Sequence, residues 1–160
     1  QGSTNWYSPS FSPRTELFYF TAWETWGMFY QEESVYRRGD RFPGGTANRP
    51  MPDSMRHEDP GYSAVRALEP QTGDLKWEYR TEGGGVTEAG VMTTAGDVLF
   101  SGTRKGHFFA LDATDGKLLW RQNLGGLMAS NPMSYQAAGK QMVTIACGNS
   151  IFTFGLPDEE

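Results

Sequence analysis

Three observations predict an all-β chain of antiparallel sheets repeated along the sequence. The strongest apolar runs, at 17–21, 98–100, 108–111, 142–145 and 151–154, are only a few residues long. The chain has 20 glycines and 9 prolines and is 14% aromatic, a composition suited to short strands joined by tight turns. An eleven-residue pattern also occurs twice: Ala67-Leu68-Glu69-Pro70-Gln71-Thr72-Gly73-Asp74-Leu75-Lys76-Trp77 returns 43 positions later as Ala110-Leu111-Asp112-Ala113-Thr114-Asp115-Gly116-Lys117-Leu118-Leu119-Trp120.

The period selects the architecture. The same 43-residue step carries Gly96 to Gly139, and each of these glycines precedes an apolar run, so the repeat extends into a third unit. A spacing of ~40–45 residues is that of four-stranded propeller blades and too long for leucine-rich repeats. Helical repeats of similar length would place apolar residues at i, i+3, i+4 and i+7, whereas these runs alternate or continue briefly and are then cut by Gly. The expected fold is a series of antiparallel β-propeller blades, about three of them, where a closed propeller needs about four to eight.

The best-defined blade, 83–124, reads as strands 89–95, 98–103, 107–113 and 117–123, turning at Gly96-Asp97, Lys105-Gly106 and Thr114-Asp115-Gly116. Before it, 1–82 holds strands 5–13 and 17–22 around the turn Pro13-Arg14-Thr15-Glu16, then partners at 63–67 and 75–80. Between those pairs lies an insertion, 24–60, with Gly44-Gly45 and scattered Arg37, Arg38, Asp40, Arg41, Arg49, Asp53 and Arg56. Connections of this length are usually functional or disordered. The last blade, 125–157, offers strands 128–135, 141–147 and 150–156 but no fourth strand and no closing Trp. Its edge at 151–156 is expected to need a partner, both for the unpaired backbone and for Phe152 and Phe154.

Within the repeated pattern, Asp115-Gly116 and Thr72-Gly73 supply the residue that tolerates positive φ in the hairpin between third and outermost strands. Trp77 and Trp120 are expected at equivalent places on outer strands, covering the joint between adjacent blades where Ala67 and Ala110 leave space.

Composition excludes several classes of function. The net charge of −5 and the lack of a basic cluster argue against a nucleic-acid partner. No apolar stretch reaches the ~18–20 residues of a membrane span, and Gln1-Gly2-Ser3-Thr4 does not open a signal peptide. The single cysteine, Cys147, rules out an intrachain disulfide and a Cys-rich metal site; within the strand-like run 143–147 it reads as a small core residue. His57 lies in a polar loop beside Arg56 and Glu58-Asp59, and His107 starts a strand; neither has a partner at metal-binding spacing.

The pattern Ala-x-Asp-x-x-x-Gly-Lys-x-x-Trp, complete at 110–120, resembles the tryptophan-docking motif of the pyrroloquinoline quinone (PQQ) dependent alcohol dehydrogenases, whose fold is a propeller of about eight blades. Further stretches agree in order: 90–102, then Asn131-Pro132-Met133-Ser134-Tyr135 with 139–143, then Gly148-Asn149-Ser150-Ile151-Phe152. The resemblance implies that the chain is the C-terminal part of such a propeller. It also implies a periplasmic oxidoreductase acting on small alcohols, with PQQ and Ca²⁺ or a lanthanide as cofactors. The Asn-Trp pair opening a late blade of that family contacts the quinone and matches Asn5-Trp6. An amide can satisfy a quinone oxygen and an indole offers a flat surface with an N–H donor; the structural alternative for the pair is a turn-capping Asn beside a core Trp.

The family's general base, metal ligands and adjacent-cysteine disulfide belong to earlier blades and match nothing here, so no catalytic or metal-binding residue is assigned. Where members often carry a Trp before the second blade, this chain reads Gly83-Gly84-Gly85-Val86-Thr87-Glu88-Ala89, which implies a different pocket or a subfamily that does not bind PQQ. Two functions follow: a segment of a quinoprotein dehydrogenase, inactive in isolation, or a non-catalytic propeller scaffold. Expected partners are the remaining propeller blades or another copy of the chain.

Overall fold

The computed structural model describes residues 3–26, 28–31, 33, 35–40, 42, 46–49, 61–81 and 89–156. All of its regular structure is strand. The first blade comprises Ser10–Ser12 (β1), Leu17–Glu24 (β2), Tyr62–Leu68 (β5) and Leu75–Thr81 (β6), in the spatial order β1-β2-β5-β6. The second comprises Met92–Thr93 (β7), Val98–Gly102 (β8), His107–Asp112 (β9) and Leu118–Asn123 (β10), ordered β7-β8-β9-β10. The third has Met133–Ala137 (β11), Lys140–Cys147 (β12) and Ser150–Gly155 (β13). Every pairing is antiparallel.

The inner strands differ from expectation. The inner-strand segments 5–13 and 89–95 shorten to β1 and β7, and 128–135 shifts to β11. Near the inner edge the backbone leaves its own ladder to bond neighbouring blades: Val91 N–H donates to Ser8 C=O at 2.9 Å and Gly90 N–H to Ser130 C=O at 3.4 Å. Part of the insertion also forms strands, Met28–Gln31 (β3) and Thr46–Arg49 (β4), paired antiparallel. His57, Glu58 and Asp59 lie outside the described residues.

The core lies between the sheets. Because successive side chains of a strand point to opposite faces, the neighbours Phe108 and Phe109 on β9 are both buried yet belong to different clusters. Phe109 joins Leu99, Leu111 and Ala113 against Tyr19, Val65, Ala67 and Trp77 of the first blade. Phe108 joins Val143, Ile145 and Cys147 of the third blade, with Met128. Cys147 is the buried core residue expected, its Sγ–H directed at Gly126 C=O.

Trp77 and Trp120 occupy equivalent positions on the outer strands, opposite Ala67 and Ala110, each beside a register shift. Their hairpins are also built alike. Gly73 and Gly116 have φ of +78° and +76°, and each donates its N–H to the residue four positions earlier, Glu69 at 2.8 Å and Asp112 at 2.9 Å. Their environments differ. Trp77 is 9% exposed whereas Trp120 is 37% exposed, touching Phe108 and Phe154 at ring centroids 5.9 and 5.2 Å away.

One expectation about the last blade changes. Phe152 and Phe154 are already partly buried against the second blade; the apolar residues left exposed at this edge are Ile151 and Leu156. The alternation of β13 explains this, since Phe152 and Phe154 share the face turned towards Phe108.

Candidate functional site

The strand order places β1 and β7 at the inner edges of their sheets, and the chain segments leading into β1, β7 and β11 meet there. Ser10 Oγ and Thr93 Oγ1 are hydrogen bonded at 2.6 Å, and Thr93 N–H donates to Ser10 Oγ at 3.2 Å. Above this contact, residues 3–8 run across the end of the first blade. Trp23 N–H donates to Ser3 C=O at 2.8 Å, Thr4 Oγ1–H to Thr21 C=O at 3.0 Å, and Ser8 N–H to Asn131 Oδ1 at 3.3 Å. The segment is therefore tied to the first and third blades and, through Val91, to the second.

On this segment Asn5 and Trp6 are both exposed, Trp6 to 67%. The Trp6 backbone N–H donates to Asn5 Oδ1 at 2.9 Å. The Trp6 ring abuts Tyr7, whose ring in turn meets Trp23, at centroid distances of 4.7 and 5.8 Å. Tyr7 and Trp23 are buried, so Trp6 is the exposed end of an aromatic stack rooted in the blade. A core Trp, the structural alternative for this residue, would be buried; that role falls to Trp23. The Trp23 indole N–H has no hydrogen-bond partner among the described residues; a buried unpaired donor of this kind costs about 1–3 kcal/mol.

Asn5 offers an amide and Trp6 an exposed indole face. That donor set suits one side of a flat, polar ring system. Among the described residues no cluster of three or more His, Cys, Asp or Glu forms a cation site. Residues 83–88, where a second Trp is expected in the resembling family, lie outside the described residues.

Ionic structure lies elsewhere. At the far end of β1, Arg14 Nε donates to both carboxylate oxygens of Asp97, at 2.9 and 3.1 Å, and its Nη2 to Asp97 Oδ2 at 3.0 Å. The pair borders an open groove of about 470 Å³ lined also by Thr15, Leu17 and Thr114. On the face of the first blade turned away from the second, Arg66 pairs with Glu24 and Glu78, each at 2.7 Å. Glu78 also takes Arg80 at 2.9 Å. Burial raises the Glu78 carboxyl, but hydrogen bonds from Arg66 and Arg80 outweigh it and hold the group below its ordinary value.

The PQQ_2 family model, described as outer membrane protein assembly factor BamB, matches residues 61–154. A quinoprotein ethanol dehydrogenase of Pseudomonas aeruginosa is 31% identical over 156 residues, covering 96% of this chain and 24% of that protein. The chain belongs to the PQQ_2 family. Subunit 1 of the methanol dehydrogenase of Methylorubrum extorquens is 34% identical over 146 residues, 87% of this chain and 22% of that one. Among solved structures, a europium-containing methanol dehydrogenase superposes with a TM-score of 0.71 at 27% identity, covering 90% of this chain and 24% of that one. The quinohemoprotein alcohol dehydrogenase of Comamonas testosteroni shares the fold at a TM-score of 0.76 and 24% identity, covering 92% of this chain and 22% of that one. The chain thus spans about a quarter of the length of these relatives. The propeller expectation is met.

Three features of the site were not singled out from sequence: the Asn131 amide, its fit over Gly90, and Trp23. The sequence marks Asn131 only as part of a family motif, and Trp23 falls between the expected strand 17–22 and the insertion 24–60.

Proposed function

We propose that this chain is the C-terminal segment of a PQQ-dependent dehydrogenase of alcohols, contributing one side of the quinone pocket through Asn5 and Trp6 and inactive without the rest of the propeller. The observation that supports this reading is the exposed Asn5–Trp6 pair at the inner edge, on a segment anchored to all three blades. When bound, PQQ accepts the two electrons that leave the alcohol as it is oxidised. The Asn5 amide would bond a ring oxygen, and Trp6 would lie against the ring plane and keep water off that side. The general base and the ligands for Ca²⁺ or a lanthanide would come from other blades, and the location would be periplasmic.

Equilibrium dialysis of the 160-residue chain with PQQ and Ca²⁺ is expected to show no tight binding. The whole gene product should reduce a dye with small alcohols only when PQQ and Ca²⁺ are present, and Asn5→Ala should weaken PQQ binding to it. Micromolar binding by the isolated chain would mean that the pocket is misplaced.

A second reading, a non-catalytic assembly scaffold, is favoured by the match to a model described as an outer membrane protein assembly factor and by the missing Trp before Ala89. A whole gene product that folds but neither binds PQQ nor oxidises alcohols would support it.

A further inference from the structure

The segment carrying Asn5 and Trp6 is held at its start by its own blade, through Ser3 and Thr4, and at its end from outside that blade. Its last fixed point is Ser8, whose C=O accepts Val91 N–H at 2.9 Å and whose N–H reaches Asn131 Oδ1 at 3.3 Å. Asn131 lies across Gly90: a Cβ built on Gly90 would come 1.9 Å from Oδ1 and 2.8 Å from Cγ. Such approaches are far inside contact distance, and Ser8 N would lie at 3.0 Å, so a Cβ at Gly90 would have to displace the Asn131 amide. The asparagine is itself firmly mounted. Ser130 Oγ–H donates to Ala146 C=O of β12 at 2.9 Å, Ser130 C=O accepts Gly90 N–H, and Pro132 is buried with its φ fixed by the ring. One carboxamide thus clasps the first blade to the third across the glycine of the second.

We propose that Asn131 is a positioning residue for the Asn5–Trp6 pair: it fixes the backbone at Ser8 and so sets where the amide and indole stand at the inner edge. The role rests on the reading of Asn5 and Trp6 as the quinone contact. Ser8 is three residue steps from Asn5, at most about 11 Å of chain. Loss of the Asn131 contact therefore loosens the end of the segment that follows the pair, while Ser3 and Thr4 still hold its start.

The test uses four variants of the full chain without cofactor: Asn131→Ala, Asn131→Asp, Gly90→Ala, and Asn131→Ala combined with Gly90→Ala. Hydrogen exchange at the Ser8 amide and the NMR signal of the Trp6 indole N–H are read in each. Asn131→Ala should speed Ser8 exchange several-fold to about tenfold, the scale of one hydrogen bond, and shift the Trp6 signal. Asn131→Asp keeps an acceptor oxygen in the same place and should stay near wild type. Gly90→Ala should reproduce Asn131→Ala by pushing the amide aside. The double variant should be close to Asn131→Ala, because the two nearest atoms the new Cβ would meet, Asn131 Oδ1 and Cγ, are gone and Ser8 N stays at 3.0 Å. Unchanged Ser8 exchange and Trp6 signal in Asn131→Ala, or additive effects in the double variant, would overturn the clasp.

A second arm measures PQQ affinity, with Ca²⁺ present, in the gene product that contains this chain. About a tenfold loss in Asn131→Ala, with Asn131→Asp retained, supports the positioning role. If Asn5→Ala weakens PQQ binding but Asn131→Ala does not, Asn131 is no positioning residue and the site reading stands. If Asn5→Ala has no effect either, the site reading falls and the positioning role with it.

Discussion

The Trp77 indole N–H donates to Ala113 C=O at 3.1 Å while its ring covers Gly116, so closely that a Cβ there would lie 2.6 Å from Cε3. The outer strand of one blade is thus plugged into the hairpin of the next. Gly73 has the same left-handed backbone as Gly116, yet nothing lies within 4 Å of its would-be Cβ.

That pair of glycines separates backbone strain from docking. Gly73→Ala should cost only the left-handed backbone term of about 1–2 kcal/mol. Gly116→Ala should cost clearly more, because Trp77 must also move. Urea unfolding of both variants measures the difference, and equal losses would show that the docking contributes nothing.

The two tryptophans should respond unequally for a related reason. Trp77→Ala removes a buried ring and its hydrogen bond, a loss of about 3–5 kcal/mol. Trp120→Ala removes a ring more than a third exposed and should cost less than half as much in the same assay.

Phe109 and Arg66 stand at repeat-equivalent positions, 43 residues apart. Phe109 is 1% exposed and packs on Tyr79 at 5.3 Å; Arg66 holds two carboxylates. Phe109→Arg should therefore abolish folding or cost more than about 4 kcal/mol, since the charge has no partner there. Arg66→Phe should be milder, at about 1–3 kcal/mol, because Glu24 is half exposed and can rehydrate. Comparison of the two thermal midpoints decides it.

The Arg66 cluster also predicts an acid limb. The Glu78 carboxyl is held below its ordinary value of 4.5 in the folded chain, so its contribution is present above pH 4.5 and is lost as pH falls through the folded value. In Glu78→Gln, stability at pH 7 should drop by on the order of 1 kcal/mol, and its decline below pH 4.5 should be shallower than in the wild type. Parallel acid limbs would remove Glu78 from the account.

At the third blade, β13 is an edge whose run from Ser150 to Leu156 contains no charge and no proline. Unguarded edges of this kind pair with other strands. Light scattering of the isolated chain at low micromolar concentration should report mass well above 17.8 kDa. Ile151→Lys, at a residue 75% exposed, should lower it towards the monomer. A wild-type monomer at that concentration would refute the argument.

The sequence by itself determined the repeat, the antiparallel strand order and the outer-strand hairpins. These follow from local rules: Gly at positive φ in the turns at 73 and 116, strand alternation around Phe108 and Phe109, and a fixed 43-residue step. It also pointed to Asn5 and Trp6, through a family motif. The tertiary structure decided which faces are filled. The same eleven-residue pattern gives Trp77 a hairpin to dock on and leaves Trp120 against Phe154, because docking depends on the next blade and not on the motif itself. It decided too that Asn131 reaches Ser8 across Gly90. That contact joins residues 123 positions apart, and no pattern of local propensity encodes a meeting that exists only once three sheets have packed side by side.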